Sequence, residues 1–229
     1  MDVRIACAGD AAWLIELPDR IDPVVNARAA AMAASIGRAG WPLVRDVVVG
    51  YRSVMVYVDP LDAAAPLMEA RLRAIATDPA RAAVPDRAFL HVPVCYGGEF
   101  GPDLPDVASF ARCDPEEVIA RHLDVEYRVF VVGFVPGFAY MASVDARIGA
   151  PRRPSPRVKV PAGSVAIAGR QTGVYPAETP GGWNIVGRTP VRPFDPSRAE
   201  PFLFRPGDRV RFHRIAEPEY RAATQWDDA

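Results

Sequence analysis

The chain has 229 residues, half of them hydrophobic and 24% charged, which is ordinary for a folded protein of one or two domains at roughly 100 to 200 residues each. A formal net charge of −1 at pH 7, with no basic run, leaves no electrostatic footprint for nucleic acid. No window approaches the roughly 18 apolar residues of a membrane span, and MDVRIACAGDAAW lacks the basic start and apolar run of a signal peptide, so a cytoplasmic protein is expected. Cys7, Cys95 and Cys113 are scattered, without a C-x-x-C pair or a His at zinc-ligand spacing, so neither a disulfide framework nor a metal site is expected.

In chain order, VRIAC (3–7) and AWLIEL (12–17) predict two short strands split by a turn at Ala8-Gly9-Asp10. Asp22-Pro23 is a helix start, an N-cap oxygen followed by a proline whose missing N–H costs nothing there. Val25, Ala29, Met32 and Ile36 then repeat at helical spacing, and Gly37 or Gly40 can end the run. DVVVG and SVMVYVD predict a hairpin around Gly50-Tyr51-Arg52. Asp59-Pro60 repeats the cap signal, and a second helix is expected to run to about Thr77, with Pro66 as a kink or a later start. Strand, strand, helix, twice over, predicts a small α+β domain with both helices on one face of an antiparallel sheet.

The segment Asp78–Arg87 is polar and holds two prolines, so the boundary is placed near residue 86, with domains over 1–86 and 87–229. AFLHVPV (88–94) predicts a strand. Asp114-Pro115-Glu116-Glu117 supplies N-cap, N1 proline and N3 glutamate for a helix ending near His122. YRVFVVGF is a strong strand, and from Phe138 onward short strands and turns continue to Ile215. In Pro161–Pro190, ten of thirty residues are Gly or Pro, set between the apolar pieces SVAIAG, TGVY and WNIVG. Many short strands with frequent turns predict a closed or nearly closed barrel in the second half.

Standard catalytic motifs are missing: there is no G-x-x-x-x-G-K-[ST] and no G-x-S-x-G, and Ser164 reads as a turn or strand residue. Glu99 and Asp103 lie in the loop CYGGEFGPDL, where a rigid scaffold can aim polar groups at a ligand, although Asp103 could equally cap the helix that follows. Cys95 follows an apolar run and reads as an inert buried thiol. His122 stands near a helix end, either as a favourable charge there or as a site residue. Phe134, Phe138, Tyr140, Tyr175 and Trp183 are core aromatics by default. Arg157, Gln171, Glu178 and Arg188 share their turn-rich region, which makes a pocket or a partner surface possible.

These residues carry a resemblance. VPVCYGGEFGPDL (92–104), EEVIARH (116–122), VGFVPGFAYM (132–141), PRRPSPRVKV (151–160) and nearly all of Pro161–Pro190 resemble the B subunits of the bacterial 5-oxoprolinases, a family related to sporulation kinase A inhibitors and allophanate hydrolase subunit 1. The resemblance implies a cyclophilin-like β-barrel behind the α+β domain. It further implies ATP-dependent opening of the lactam 5-oxo-L-proline to glutamate, with Mg2+ and ATP shared with or held by a partner, and 5-oxoprolinase A and C subunits as partners. It implies Glu99, Asp103 and His122 as catalytic candidates, and Phe138, Tyr140, Arg157, Gln171, Tyr175, Trp183 and Arg188 as a substrate-binding surface. The alternatives it carries are a histidine-kinase inhibitor without chemistry, or a carboxyltransferase-like subunit served by a biotin carrier on another chain.

Overall fold

The signals in the first third of the chain translate directly into structure, as seen in a computed structural model that describes residues 3–19, 22–62, 67–77 and 89–224. Strands β1 (Arg4–Cys7), β2 (Ala12–Glu16), β3 (Val44–Val49) and β4 (Ser53–Val58) form one antiparallel sheet in the order β1-β2-β4-β3. Helix α1 (Pro23–Ala39) starts where Asp22 accepts from the N–H groups of Val24 and Val25, and it stops at Gly40, whose φ of 59° only glycine adopts cheaply. Val25, Ala29, Met32 and Ile36 are all buried, as their spacing predicts.

Helix α2 (Met68–Thr77) buries Met68, Leu72 and Ile75 in the same core, against Ile15, Leu17, Val54 and Val56. Its start differs from expectation. Asp59 turns its carboxylate to the N–H of Leu61 and pairs with Arg45, closing a turn rather than capping a helix. Pro66 and the expected linker Asp78–Arg87 lie outside the described residues.

The chain divides into two units, Met1–Arg87 and Ala88–Ala229. In the second, β5 (Phe89–Tyr96), β6 (Tyr127–Val132), β7 (Ala139–Ala142), β9 (Ser164–Ala168), β10 (Gln171–Val174), β12 (Asn184–Arg188) and β13 (Arg209–Arg214) close a seven-stranded barrel in the order β10-β7-β6-β13-β5-β12-β9. Seven strands cannot alternate in direction all the way round, so one neighbouring pair must be parallel, and that pair is β13 with β5. The α+β class with a closed barrel in the second half is therefore as expected. Two further strands, β8 (Arg157–Val160) and β11 (Thr179–Gly181), pair with each other outside the barrel.

Strand alternation sorts the side chains. Val129, Ala139, Met141, Val165, Ile167, Val174, Val186 and Phe212 fill the interior together with Leu104 and Val107 of α3 (Leu104–Ala111) and Val118 and Ile119 of α4 (Pro115–Leu123). Each such fully buried side chain contributes roughly 1.5–3 kcal/mol. Their strand neighbours Phe138, Tyr140, Ala166, Ala168 and Ile185 face outward, where Val160 of β8 packs on them. The last helix, α5 (Glu217–Thr224), has no counterpart among the expected elements, which end at Ile215. Its signal is half a capping box, because Glu219 accepts from the N–H of Ala216 at 2.7 Å. No helix among the described residues is long and apolar enough to cross a membrane.

Candidate functional site

The outer face of β7, β9 and β10 is built from small and aromatic residues in turn, and this leaves a cleft. Ala166, Ala168 and Gly173 keep its floor low: a Cβ on Gly173 would stand 3.1 Å from the Phe138 ring and 2.8 Å from the Ala139 carbonyl. Phe138 lies at the centre of an aromatic cluster, with ring centroids 4.7 Å from Tyr140, 5.0 Å from Tyr175, 5.5 Å from Trp183 and 5.8 Å from Phe134, all near edge-to-face. Such pairs are worth about 0.5–1.5 kcal/mol each beyond burial, so the walls are stiff. Gly181 admits the Tyr175 hydroxyl, which a Cβ would meet at 2.4 Å. The cleft has about 340 Å3 and is closed by Arg152, Pro156 and Pro180–Trp183.

Phe134 forms its lip. It is 63% exposed, and its φ of 75° is one that a bulky residue adopts only under strain. Burial raises the hydroxyl pKa of Tyr140 and of Tyr175, so both are neutral phenols around neutral pH. Four predicted residues thus converge here: Phe138, Tyr140, Tyr175 and Trp183. Gln171 shares the outward face of β10 with Gly173, opposite Ala142 and Ala168.

Asp103 and Arg157 form a clamp beside this cleft. The Asp103 side chain does not cap α3. Its carboxylate, on a residue only 1% exposed, accepts from Arg157 at 2.8 and 2.7 Å, from Arg153 at 2.6 Å and from the N–H of Ile185 at 2.7 Å. The bond to Asp103 holds the Arg157 guanidinium above its ordinary pKa. With four donors on two oxygens, the carboxylate is committed to binding the Pro151–Arg157 run to β12.

The remaining predicted residues stand elsewhere. His122 reaches the barrel interior from α4 and is wholly buried. Its Nε2 lies 3.0 Å from Thr172 Oγ1, which itself donates to the Ala166 carbonyl, and its Nδ1 lies 2.8 Å from the Tyr96 hydroxyl. Because the Thr172 proton is used, Nε2 carries the histidine proton and Nδ1 accepts from Tyr96. Burial pulls the His122 pKa from the ordinary 6.5 to about 3, so the ring is neutral. Glu99 lines a second cleft of about 470 Å3, together with Cys95, Phe100, Arg214 and Glu217, and pairs with Arg221 of α5. Arg188 faces Cys95 and Ser164 across the strands and donates to the Ala162 carbonyl.

Sequence reasoning misses Arg152. PRRPSPR offers three arginines on an equal footing, and only the fold shows that Arg153 and Arg157 are spoken for by Asp103, whereas the Arg152 guanidinium stands 5.9 Å from the Trp183 ring centroid. Among the described residues no group of three or more His, Cys, Asp or Glu is placed to hold a metal ion.

Comparison with known proteins agrees with this architecture. A family model, "Carboxyltransferase domain, subdomain C and D", matches residues 3–204. The chain is 42% identical to the 5-oxoprolinase B subunit of Bacillus subtilis, over 96% of this chain and 95% of that one, and 52% identical to that of Escherichia coli O157:H7 over 56% and 59%. The solved structure of TTHA0988 matches at TM-score 0.80 and 38% identity over 90% of this chain, which spans 40% of that longer protein. The urea amidolyase of Kluyveromyces lactis, at 20% identity and TM-score 0.74 over 96% of this chain and 15% of that one, shares the fold alone. The match across residues 3–204 and the nearly end-to-end identity with a known B subunit place the chain in a family: it belongs to the carboxyltransferase-domain (subdomain C and D) proteins of the type found as 5-oxoprolinase B subunits.

Proposed function

We propose that this chain is the B subunit of a cytoplasmic, ATP-dependent 5-oxoprolinase and that its aromatic cleft binds the lactam ring of 5-oxo-L-proline. The observation that carries the reading is the composition of the cleft. Four aromatic rings and Pro156 line about 340 Å3, a size suited to one small ring, and none of the lining residues is a carboxylate, His, Cys, Ser or Lys. Such a surface can bind and orient an amide but offers no nucleophile or general base to open it. The chemistry therefore belongs to a partner chain, and the near full-length likeness to B subunits supports partners of the A and C type.

ATP fits that division of labour. A five-membered lactam is a poor electrophile, and ATP hydrolysis supplies the drive for opening it. The cleft carries a single cation among its lining residues, too little for a triphosphate, and the sequence has no phosphate loop, so the nucleotide and its Mg2+ are assigned to a partner.

Mixing the purified chain with A and C subunits, and omitting each in turn, tests the proposal. ATP-dependent glutamate release is expected only from the complete mixture. Biotin-dependent carboxylation without glutamate release would instead support the carboxyltransferase reading favoured by the 29% identity to a putative urea carboxylase of Emericella nidulans, over 49% of this chain and 9% of that one. Absence of any turnover from a verified complete mixture would overturn the assignment.

A further inference from the structure

Arg152 stands over the face of Trp183 at the mouth of the cleft, and among the described residues it has no hydrogen-bond or ion-pair partner. Its position is built rather than incidental. On one side, Asn184 Nδ2 donates to the Pro151 carbonyl at 2.8 Å. On the other, the backbone N–H of Arg153 donates to the Gly182 carbonyl at 2.8 Å, and the side chains of Arg153 and Arg157 are held by Asp103. The backbone flanking Arg152 is thus tied to the segment that carries Trp183, while the intervening guanidinium is left for something else. Stacking on an indole orients a guanidinium but does not neutralise it; at an exposed site it is worth about 0.5–1 kcal/mol.

We infer that Arg152 is the carboxylate anchor of this cleft, so that the site takes small rings bearing one carboxylate beside the ring and discriminates against the same rings without it. The inference rests on reading the cleft as the lactam site and deepens that reading. Charge decides the ligand class: the cleft lining holds one ionised side chain, which matches a monoanion and would leave most of a polyphosphate uncompensated. Geometry agrees. A guanidinium grips a carboxylate through two parallel bonds, and the rings of Phe138, Tyr140 and Trp183 leave the remainder of the ligand an apolar wall. The phenols of Tyr140 and Tyr175 are the other polar groups on the lining and are available to the ring amide.

The test is calorimetric titration of the full chain, repeated as KM measurements on the reconstituted complex, with three probes: 5-oxoproline, 2-pyrrolidinone (the same ring without its carboxylate) and pyrrole-2-carboxylate. The wild-type chain is expected to bind 5-oxoproline at least tenfold more tightly than 2-pyrrolidinone, equivalent to about 1.4 kcal/mol. Arg152→Gln should abolish that difference by weakening 5-oxoproline alone, and Arg152→Lys should restore part of it. Arg152 is exposed, so both variants are expected to fold, which near-ultraviolet circular dichroism checks. If 5-oxoproline does not bind but pyrrole-2-carboxylate does, and only with Arg152 present, the anchor stands and the lactam assignment falls. Equal weakening of charged and neutral rings by Arg152→Gln, no weakening of either, or no binding of any ring carboxylate to chain or complex would overturn the anchor.

Discussion

Three ionisable residues that a sequence motif groups together do different jobs once their surroundings are known. Asp103 neutralises two guanidinium groups and one strand N–H inside the fold, so Asp103→Asn is expected to act on stability, by about 3–5 kcal/mol, because it strands buried charge. Denaturant unfolding checks this, and an intact fold with only a slower rate would return Asp103 to the chemistry. His122 is buried and neutral, and its pKa is depressed to about 3. The unfolded chain takes up a proton there below its ordinary 6.5 while the folded chain resists until about 3, so this contribution to stability is complete above pH 6.5 and is lost as the pH falls through that window. His122→Gln is expected to cost about 1–3 kcal/mol at pH 7.5, through lost bonds to Tyr96 and Thr172, and to flatten the acid slope. An unchanged slope would remove His122 as its source. Glu99 is exposed and paired with Arg221, and such surface pairs are worth about 0–1 kcal/mol, so Glu99→Gln should leave unfolding nearly unchanged.

Among the elements, those with local signals were legible and those set by long-range contacts were not. Asp22 and Asp114 cap α1 and α4 as their spacing foretells, and the hairpin of β3 and β4 turns where Gly50 permits. The Asp59-Pro60 signal misleads because a cap and a turn use the same oxygen-to-amide bond, and only the chain beyond decides which forms. The convergence of Phe138 with Trp183 arises from strand pairing across forty-odd residues, which no local pattern carries, and the freedom of Arg152 follows only from knowing what Asp103 holds. The glycines of the CYGGEFGPDL loop separate the same way. A Cβ on Gly101 would lie 2.0 Å from the Val186 carbonyl oxygen, whereas Gly98 has open space and a φ of 53°. Gly101→Ala is expected to yield no folded barrel, and Gly98→Ala to cost about 1–2 kcal/mol, read by soluble yield and thermal unfolding. Comparable stability of the two would mean that the loop does not pack on β12 as described.

At the scale of the whole molecule, each unit carries its own core: one of α1, α2 and their sheet, the other inside the barrel. The barrel unit presents on its outer wall a cleft able to hold a ring but not to break its amide, which is why the account makes the chain a binding subunit whose reaction needs other chains. Trp183 offers a direct report on that cleft. In a chain whose Trp13, Trp41 and Trp226 are replaced by Phe, 5-oxoproline should change the emission of Trp183 saturably, in the absence of ATP and without forming glutamate. An emission that does not respond, in a chain that still supports turnover of 5-oxoproline when the other subunits are added, would place the substrate elsewhere and contradict the account.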